Sequence, residues 1–130
     1  VNTKGISYDE NCQKCTLSRV NEFISAYKDV DKIAIITGNA IGLGYTLFAS
    51  KELNNSYTLA FANANVGLFD EQTGALVELD AECEKINELA ETYKDKLDPV
   101  NTAHNGYLDN VIEPQYVRQY LISALQTLEV

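Results

Sequence analysis

An α/β fold is the class this sequence predicts, and three observations predict it. The β-branched run Lys32 to Thr37, set between Asp31 and Gly38, has the character of a strand buried on both faces. Two further runs of β formers, Tyr57 to Phe61 and Asn65 to Phe69, follow one another across a short Ala-Asn-Ala link. Around them lie segments with apolar residues at helical spacing, so strands and helices alternate without repeats or low-complexity linkers. At 130 residues, 45% of them hydrophobic and 22% charged, the chain is long enough for one domain with its own core.

Taken in order, Val1 to Gly5 reads as the end of a strand entering a turn, with nothing ahead of it to start a sheet. The chain is therefore expected to be one piece of a larger assembly, or to have lost an upstream segment. From Asp9 to Tyr27, the residues Cys12, Cys15, Val20, Phe23, Ile24 and Tyr27 share one helical face. The strand Lys32 to Thr37 runs into a glycine-rich turn, Gly38 to Gly44, and a helix over Tyr45 to Lys51 follows. Beyond the two central strands, Asp80 opens a long helix that places Cys83, Ile86, Leu89, Ala90, Tyr93 and Leu97 inward. Its acids Glu82, Glu84, Glu88 and Glu91 form a solvated face, and Pro99 ends it. A loop over Asn101 to Gly106 leads to a strand within Tyr107 to Ile112. Pro114 then suits a first helical turn, and Val117, Leu121, Ala124, Leu125 and Leu128 make the last amphipathic face.

Charge and cysteine content narrow the function. Nineteen acidic against ten basic residues give a net charge of −9, which repels a phosphate backbone, so no nucleic-acid partner is expected. The longest apolar run, Ile33 to Ile36, is far short of a membrane span, and no leader-like segment opens the chain. Three cysteines cannot all pair within one chain, which favours a reducing cytoplasm. Cys12 and Cys15 form a CxxC that, with Cys83 and His104, would complete a Cys3His zinc set. Both members of the pair fall on the packed helix face and no second close pair supports them, so buried thiols and no metal are expected. His104, the single histidine, is read as a surface residue.

The segment with chemical potential is Thr37 to Tyr45. Glycines after a buried strand leave successive N–H groups uncovered, and a following helix directs its positive end to the same place, as an oxyanion requires. No Gly-Lys-Ser/Thr closes it and the GxGxxG spacing is absent, which excludes a Walker loop and a dinucleotide fingerprint. A turn shaped only for close packing remains the alternative from these residues alone.

Thr37-Gly38-Asn39-Ala40-Ile41-Gly42-Leu43-Gly44-Tyr45 resembles the T-G-K-A-Y-G-G-A-Y element of biotin-dependent acyl-CoA carboxyltransferases, in their C-terminal, crotonase-like half. Val1-Asn2-Thr3-Lys4-Gly5-Ile6 is similar to that family's V-D-T-P-G-F, and Lys32 to Thr37 to its K-I-T-V-I-T strand. Ala60 to Phe69 resembles A-W-P-x-A-x-I-x-V-M. Pro99, then Gly106 to Pro114 and Arg118, resemble P…G-Y-I-D-x-V-I-x-P…R. Lys4 replaces the family's first proline, Phe61-Ala62 its Trp-Pro, and Asp70 a glycine.

The resemblance implies a crotonase-like (ClpP/crotonase) spiral of ββα units, here partial, with residues 1–130 as a single C-terminal carboxyltransferase domain lacking its first strands. It implies transfer of a carboxyl group between carboxybiotin and an acyl-CoA, with no metal. The backbone N–H groups of Leu43 and Gly44 would form the catalytic oxyanion hole, Gly42, Leu43 and Gly44 the biotin-binding turn, and Gly38 and Ala40 further cofactor-binding positions. The implied partners are a biotin carboxyl carrier protein and a second, acyl-CoA-binding half, in a homo- or hetero-oligomer. A degenerate, non-catalytic subunit with an assembly role is the alternative. A hydratase of the same fold is disfavoured, since no pair of glutamates is placed for water addition. Tyr107 and Arg118 lie in matched motifs and suit packing and an interface ion pair.

Overall fold

The computed structural model describes residues 1–6, 13–78 and 85–128. Its organising feature is a repeated strand-strand-helix unit. The first unit comprises β1 (Lys32–Ile36), β2 (Asn39–Ile41) and α2 (Leu43–Phe48). The second comprises β3 (Asn55–Phe61), β4 (Asn65–Gly67) and α3 (Glu71–Glu78). The helix α1 (Gln13–Tyr27) precedes them; α4 (Ile86–Lys94), α5 (Pro99–His104), β5 (Asn110–Ile112) and α6 (Val117–Leu128) follow.

Corresponding strands of the two units lie side by side. β1 pairs with β3 in parallel, and β5 joins the far edge of β3, giving the order β1-β3-β5. β2 pairs with β4 in parallel as a separate two-stranded sheet, with Ala40 opposite Val66, and Thr3 bridges the free side of Ala40. Parallel pairing of successive strands requires each helix to cross back over the sheet, and that requirement winds the chain into a spiral. Small side chains let the turns of the spiral nest. Ala34, Ala40, Ala49, Ala60 and Ala64 share the core with Ile36, Val66 and Leu108.

Several expectations are corrected. The segment from Gly38 is not wholly a turn, because Asn39 to Ile41 form β2, held by Thr3 N–H to Asn39 O at 2.6 Å and Ile41 N–H to Thr3 O at 3.2 Å. β4 ends at Gly67, short of Phe69. A helix, α5, occupies most of the stretch read as a loop. Asp98 caps it, its carboxylate accepting from Val100 N at 2.7 Å, and Pro99 takes the first helical position where its missing N–H costs nothing. Pro99 thus closes one helical stretch and opens the next. Helix α3 was not expected at all; Asp70 starts it by accepting from Thr73 N at 2.7 Å. The long helix from Asp80 lies partly outside the described residues, and its visible portion is α4 followed by a 3-10 turn at Asp95–Leu97.

Packing explains other residues. Gly74 in α3 lies where a Cβ would fall 2.1 Å from the Tyr93 ring, so α3 and α4 cross in close contact there. Val20, Phe23, Ile24 and Tyr27 are the half-buried face of α1, and Phe23 meets Phe48 edge-on at 5.5 Å. Cys15 is exposed, against expectation: it sits five residues before Val20, about 140° around the helix from that face. On α6 only Ala124 is buried, and Leu125 is 51% exposed. Among the described residues, no helix is long and apolar enough to cross a membrane.

Candidate functional site

The site is built at the junction of β2 and α2. Gly42 has φ 56° and ψ −127°, a conformation that reverses the chain and that side chains resist. Its N–H donates to Gly67 O at 2.9 Å, which ties the junction to β4. Its carbonyl accepts from Thr46 N at 3.0 Å and Thr46 Oγ1 at 3.2 Å, which starts α2. Between these two anchors lie the N–H groups of Leu43 and Gly44. No side chain caps the helix, and among the described residues neither N–H has a hydrogen-bond acceptor. Two uncapped amides at the positive end of a helix form a local surplus of donors.

Two neighbours shape the surroundings of these donors. Gly44 is buried because the γ-methyl of Thr3 occupies the space a Cβ would take, 2.4 Å from that position. The Leu43 side chain is 46% exposed. Gly38 and Ala40 have packing roles in the structure. Gly38 accepts from Asn65 N at 2.9 Å and leaves room for the Asn2 side chain, whose oxygen accepts from Asn39 N at 2.9 Å. Ala40 is 0% exposed, with its methyl wholly in the core.

A cavity of about 230 Å³ lies alongside, walled by Tyr45, Gly67, Leu68, Tyr93, Lys96 and Tyr107. Tyr45 belongs to its wall, whereas Leu43 and Gly44 do not. Tyr45 Oη donates to Tyr107 O at 3.2 Å, joining the first turn of α2 to the segment before β5. Burial, reinforced by Tyr107 and Glu52, pushes the Tyr45 hydroxyl up to about 12, so it remains a neutral donor. Glu78 accepts from Tyr93 Oη and from Lys96 Nζ, both at 2.9 Å, and these bonds, Lys96 first, hold its carboxyl below the usual range. Burial and Glu78 push Tyr93 up to about 12.

The remaining candidates do not gather. Cys12 and Cys83 lie outside the described residues, as do Glu82 and Glu84. Cys15 is exposed on α1, His104 ends α5, and among the described residues no three His, Cys, Asp or Glu side chains approach as metal ligands would. Arg118 is exposed on α6 and Tyr107 is 57% exposed. Sequence reasoning missed Thr3 as the neighbour of Gly44 and Asp70 as a helix cap; an Asp ahead of a Glu-Gln-Thr turn is the signal that finds the latter.

No family model matches the chain. Among curated proteins, it is 29% identical over 118 residues to the methylmalonyl-CoA decarboxylase subunit alpha of Propionigenium modestum, covering 83% of this chain and 23% of that one. It is 34% identical over 113 residues to the biotin-dependent acetyl-/propionyl-coenzyme A carboxylase beta5 subunit of Mycobacterium tuberculosis, covering 77% of this chain and 20% of that one. The chain is a relative of biotin-dependent acyl-CoA carboxyltransferase subunits.

It matches the C-terminal half of these carboxyltransferase subunits and spans about a fifth of their length. Its fold agrees with theirs. The transcarboxylase 12S core solved with methylmalonyl-coenzyme A and methylmalonic acid superposes with a TM-score of 0.86 at 22% identity, covering 98% of this chain and 26% of that one. The beta subunit of geranyl-CoA carboxylase from P. aeruginosa superposes with a TM-score of 0.77 at 16% identity, covering 96% and 26%. The architecture is thus the crotonase-like arrangement of carboxyltransferases, an α/β fold of parallel strands and helices.

Proposed function

We propose that this chain forms the biotin-facing part of a carboxyltransferase that moves a carboxyl group between carboxybiotin and an acyl-CoA. One observation carries the reading: the N–H groups of Leu43 and Gly44 stand uncapped at the start of α2, in the segment that resembles the family's glycine-rich element. Carrier-bound biotin supplies the carboxyl group and a ureido oxygen on which negative charge grows as that group leaves. The two amides donate to such an oxygen, and Gly42 and Thr46 hold them in place, so no reorganisation is required as the charge develops. The donors are backbone groups, which is why leucine in place of the family's glycine keeps the hole while adding an apolar side chain beside it. The acyl-CoA is bound by a second, acyl-CoA-binding half, the carrier protein docks between the two, and the assembly works in the cytoplasm. The half-exposed Leu43 side chain favours a second reading, an assembly subunit that does not turn over.

The deciding experiment measures carboxyl transfer from carboxybiotin with the acyl-CoA-binding half present, in the parent chain and in Leu43→Pro. Proline is tolerated at the first helical position, where it removes the N–H together with the leucine side chain, and Leu43→Ala, which removes the side chain and keeps the N–H, is the control. Loss of transfer with an intact fold supports the catalytic reading; an unchanged rate overturns it. Absence of transfer in the parent assembly supports the assembly role. Turnover by the chain alone removes the requirement for a second half.

A further inference from the structure

We infer that Thr3 is a positioning residue for the Gly44 amide. The inference rests on the proposed role of that amide. The segment ahead of α1 runs beside β2, with Thr3 donating to Asn39 O and accepting from Ile41 N, so its backbone is registered against Ala40 from both sides. Two residues earlier, Val1 O accepts from Thr37 N at 2.9 Å, which sets the same register against the end of β1. The Thr3 side chain is then fixed by its own loop: Oγ1 donates to Gly5 O at 2.8 Å and accepts from Gly5 N at 3.2 Å. With both hydrogen-bonding directions of the hydroxyl in use, the rotamer has a single setting. That setting directs the γ-methyl at Gly44, into the place of the missing Cβ.

The Gly42–Gly44 junction is consequently gripped from two sides. β4 holds Gly42 through Gly67 O, and the Thr3 methyl backs Gly44. A donor in a preorganised oxyanion hole acts only when its direction is set before the charge appears. The hydroxyl and the methyl of Thr3 have separable tasks. The hydroxyl ties the loop and fixes the rotamer, and the methyl makes the contact with Gly44.

Two conservative variants separate those tasks. Thr3→Ser keeps the hydroxyl and removes the methyl; Thr3→Val keeps the methyl and removes the hydroxyl. In the assembled carboxyltransferase, Thr3→Ser is expected to lower kcat about tenfold with an unchanged KM for acyl-CoA, as misplacement of a transition-state donor does. Thr3→Val keeps a methyl but loses the hydroxyl bonds that fix the rotamer, so it is expected to lower Tm and to lower kcat by less than Thr3→Ser does. The NMR order parameter of the Gly44 N–H is read in parallel and is expected to fall further in Thr3→Ser than in Thr3→Val. An unchanged kcat in Thr3→Ser, an equal loss of kcat in the two variants, or equal order parameters overturns the assignment. Leu43→Pro distinguishes the failures: if it retains full kcat, the oxyanion reading itself falls, whereas its loss beside an unaffected Thr3→Ser removes only the role of Thr3.

Discussion

The two strand-strand-helix units place their helices alike and start them differently. In the second unit Asp70 accepts from Thr73 N, so a carboxylate inside the chain occupies the positive end of α3. In the first unit the equivalent place is Gly42, which has no side chain to offer, and the amides of Leu43 and Gly44 remain without an acceptor. Side-chain capping stabilises a helix by about 1 kcal/mol. The first unit forgoes that contribution at the same point where its glycine conformation also disfavours substitution. The comparison teaches that α3 satisfies its first amides from within the chain whereas α2 leaves its own open, and it is this open pair that the proposed function assigns to an acceptor from outside.

The largest expected effect tests the open end. Leu43→Pro removes one donor and is expected to lower the kcat of carboxyl transfer by about 100-fold, the usual result of deleting one oxyanion-hole donor. Circular dichroism showing an unchanged helix content separates this from unfolding. The next tests the geometry that keeps the end open. Gly42→Ala places a Cβ at φ 56° and 3.2 Å from Leu68 O, and a loss of about 1–3 kcal/mol in denaturant unfolding is expected from the strained backbone. Wild-type stability in that variant would show that the junction relaxes and that its glycine is dispensable.

The closed end gives a smaller effect and a pH signature. Asp70→Ala is expected to cost about 1 kcal/mol through loss of the cap, with carboxyl transfer unchanged. The backbone N–H of Thr73, first among several causes, holds the Asp70 carboxyl below its ordinary value. A lowered native value means the carboxylate contributes fully above the ordinary aspartate range, and that contribution disappears as pH falls through the native value. Urea titrations of parent and variant should therefore converge in acid; a constant difference down to the lowest pH would refute the charged cap. The smallest effect lies at high pH. Tyr45 and Tyr93 ionise near 12 in the folded chain and near 10 when unfolded, so the unfolded state loses these protons first and stability falls as pH rises between those values. Tyr45→Phe and Tyr93→Phe together should flatten that decline in a thermal-melt series.

Much of the fold is legible in the sequence wherever a long pattern reports on a long element. The run Lys32 to Ile36 predicts β1, the central run predicts the end of β3 at Phe61, and the apolar face of Phe23, Ile24 and Tyr27 predicts the packed side of α1. The three-residue strand β2 and the six-residue helix α5 are too short to display a period, and both are tied to distant segments: β2 to Thr3, and α5 through Thr102 to Val66. The exposed Cys15 shows the same limit, since a spacing of three to five residues tolerates a member that the finished helix turns to solvent.

By itself, the sequence determined the α/β class, the order of most elements and the glycine-rich segment with its family resemblance, because these depend on residue type and local spacing. Tertiary structure alone decided which amides stay free, which glycines face a neighbour and which strands pair. Those facts arise where residues far apart in the chain meet, as Thr3 meets Gly44, Gly67 meets Gly42 and Tyr93 meets Gly74. A missing Cβ has no consequence until another part of the chain fills its place, and only the folded spiral brings that part there.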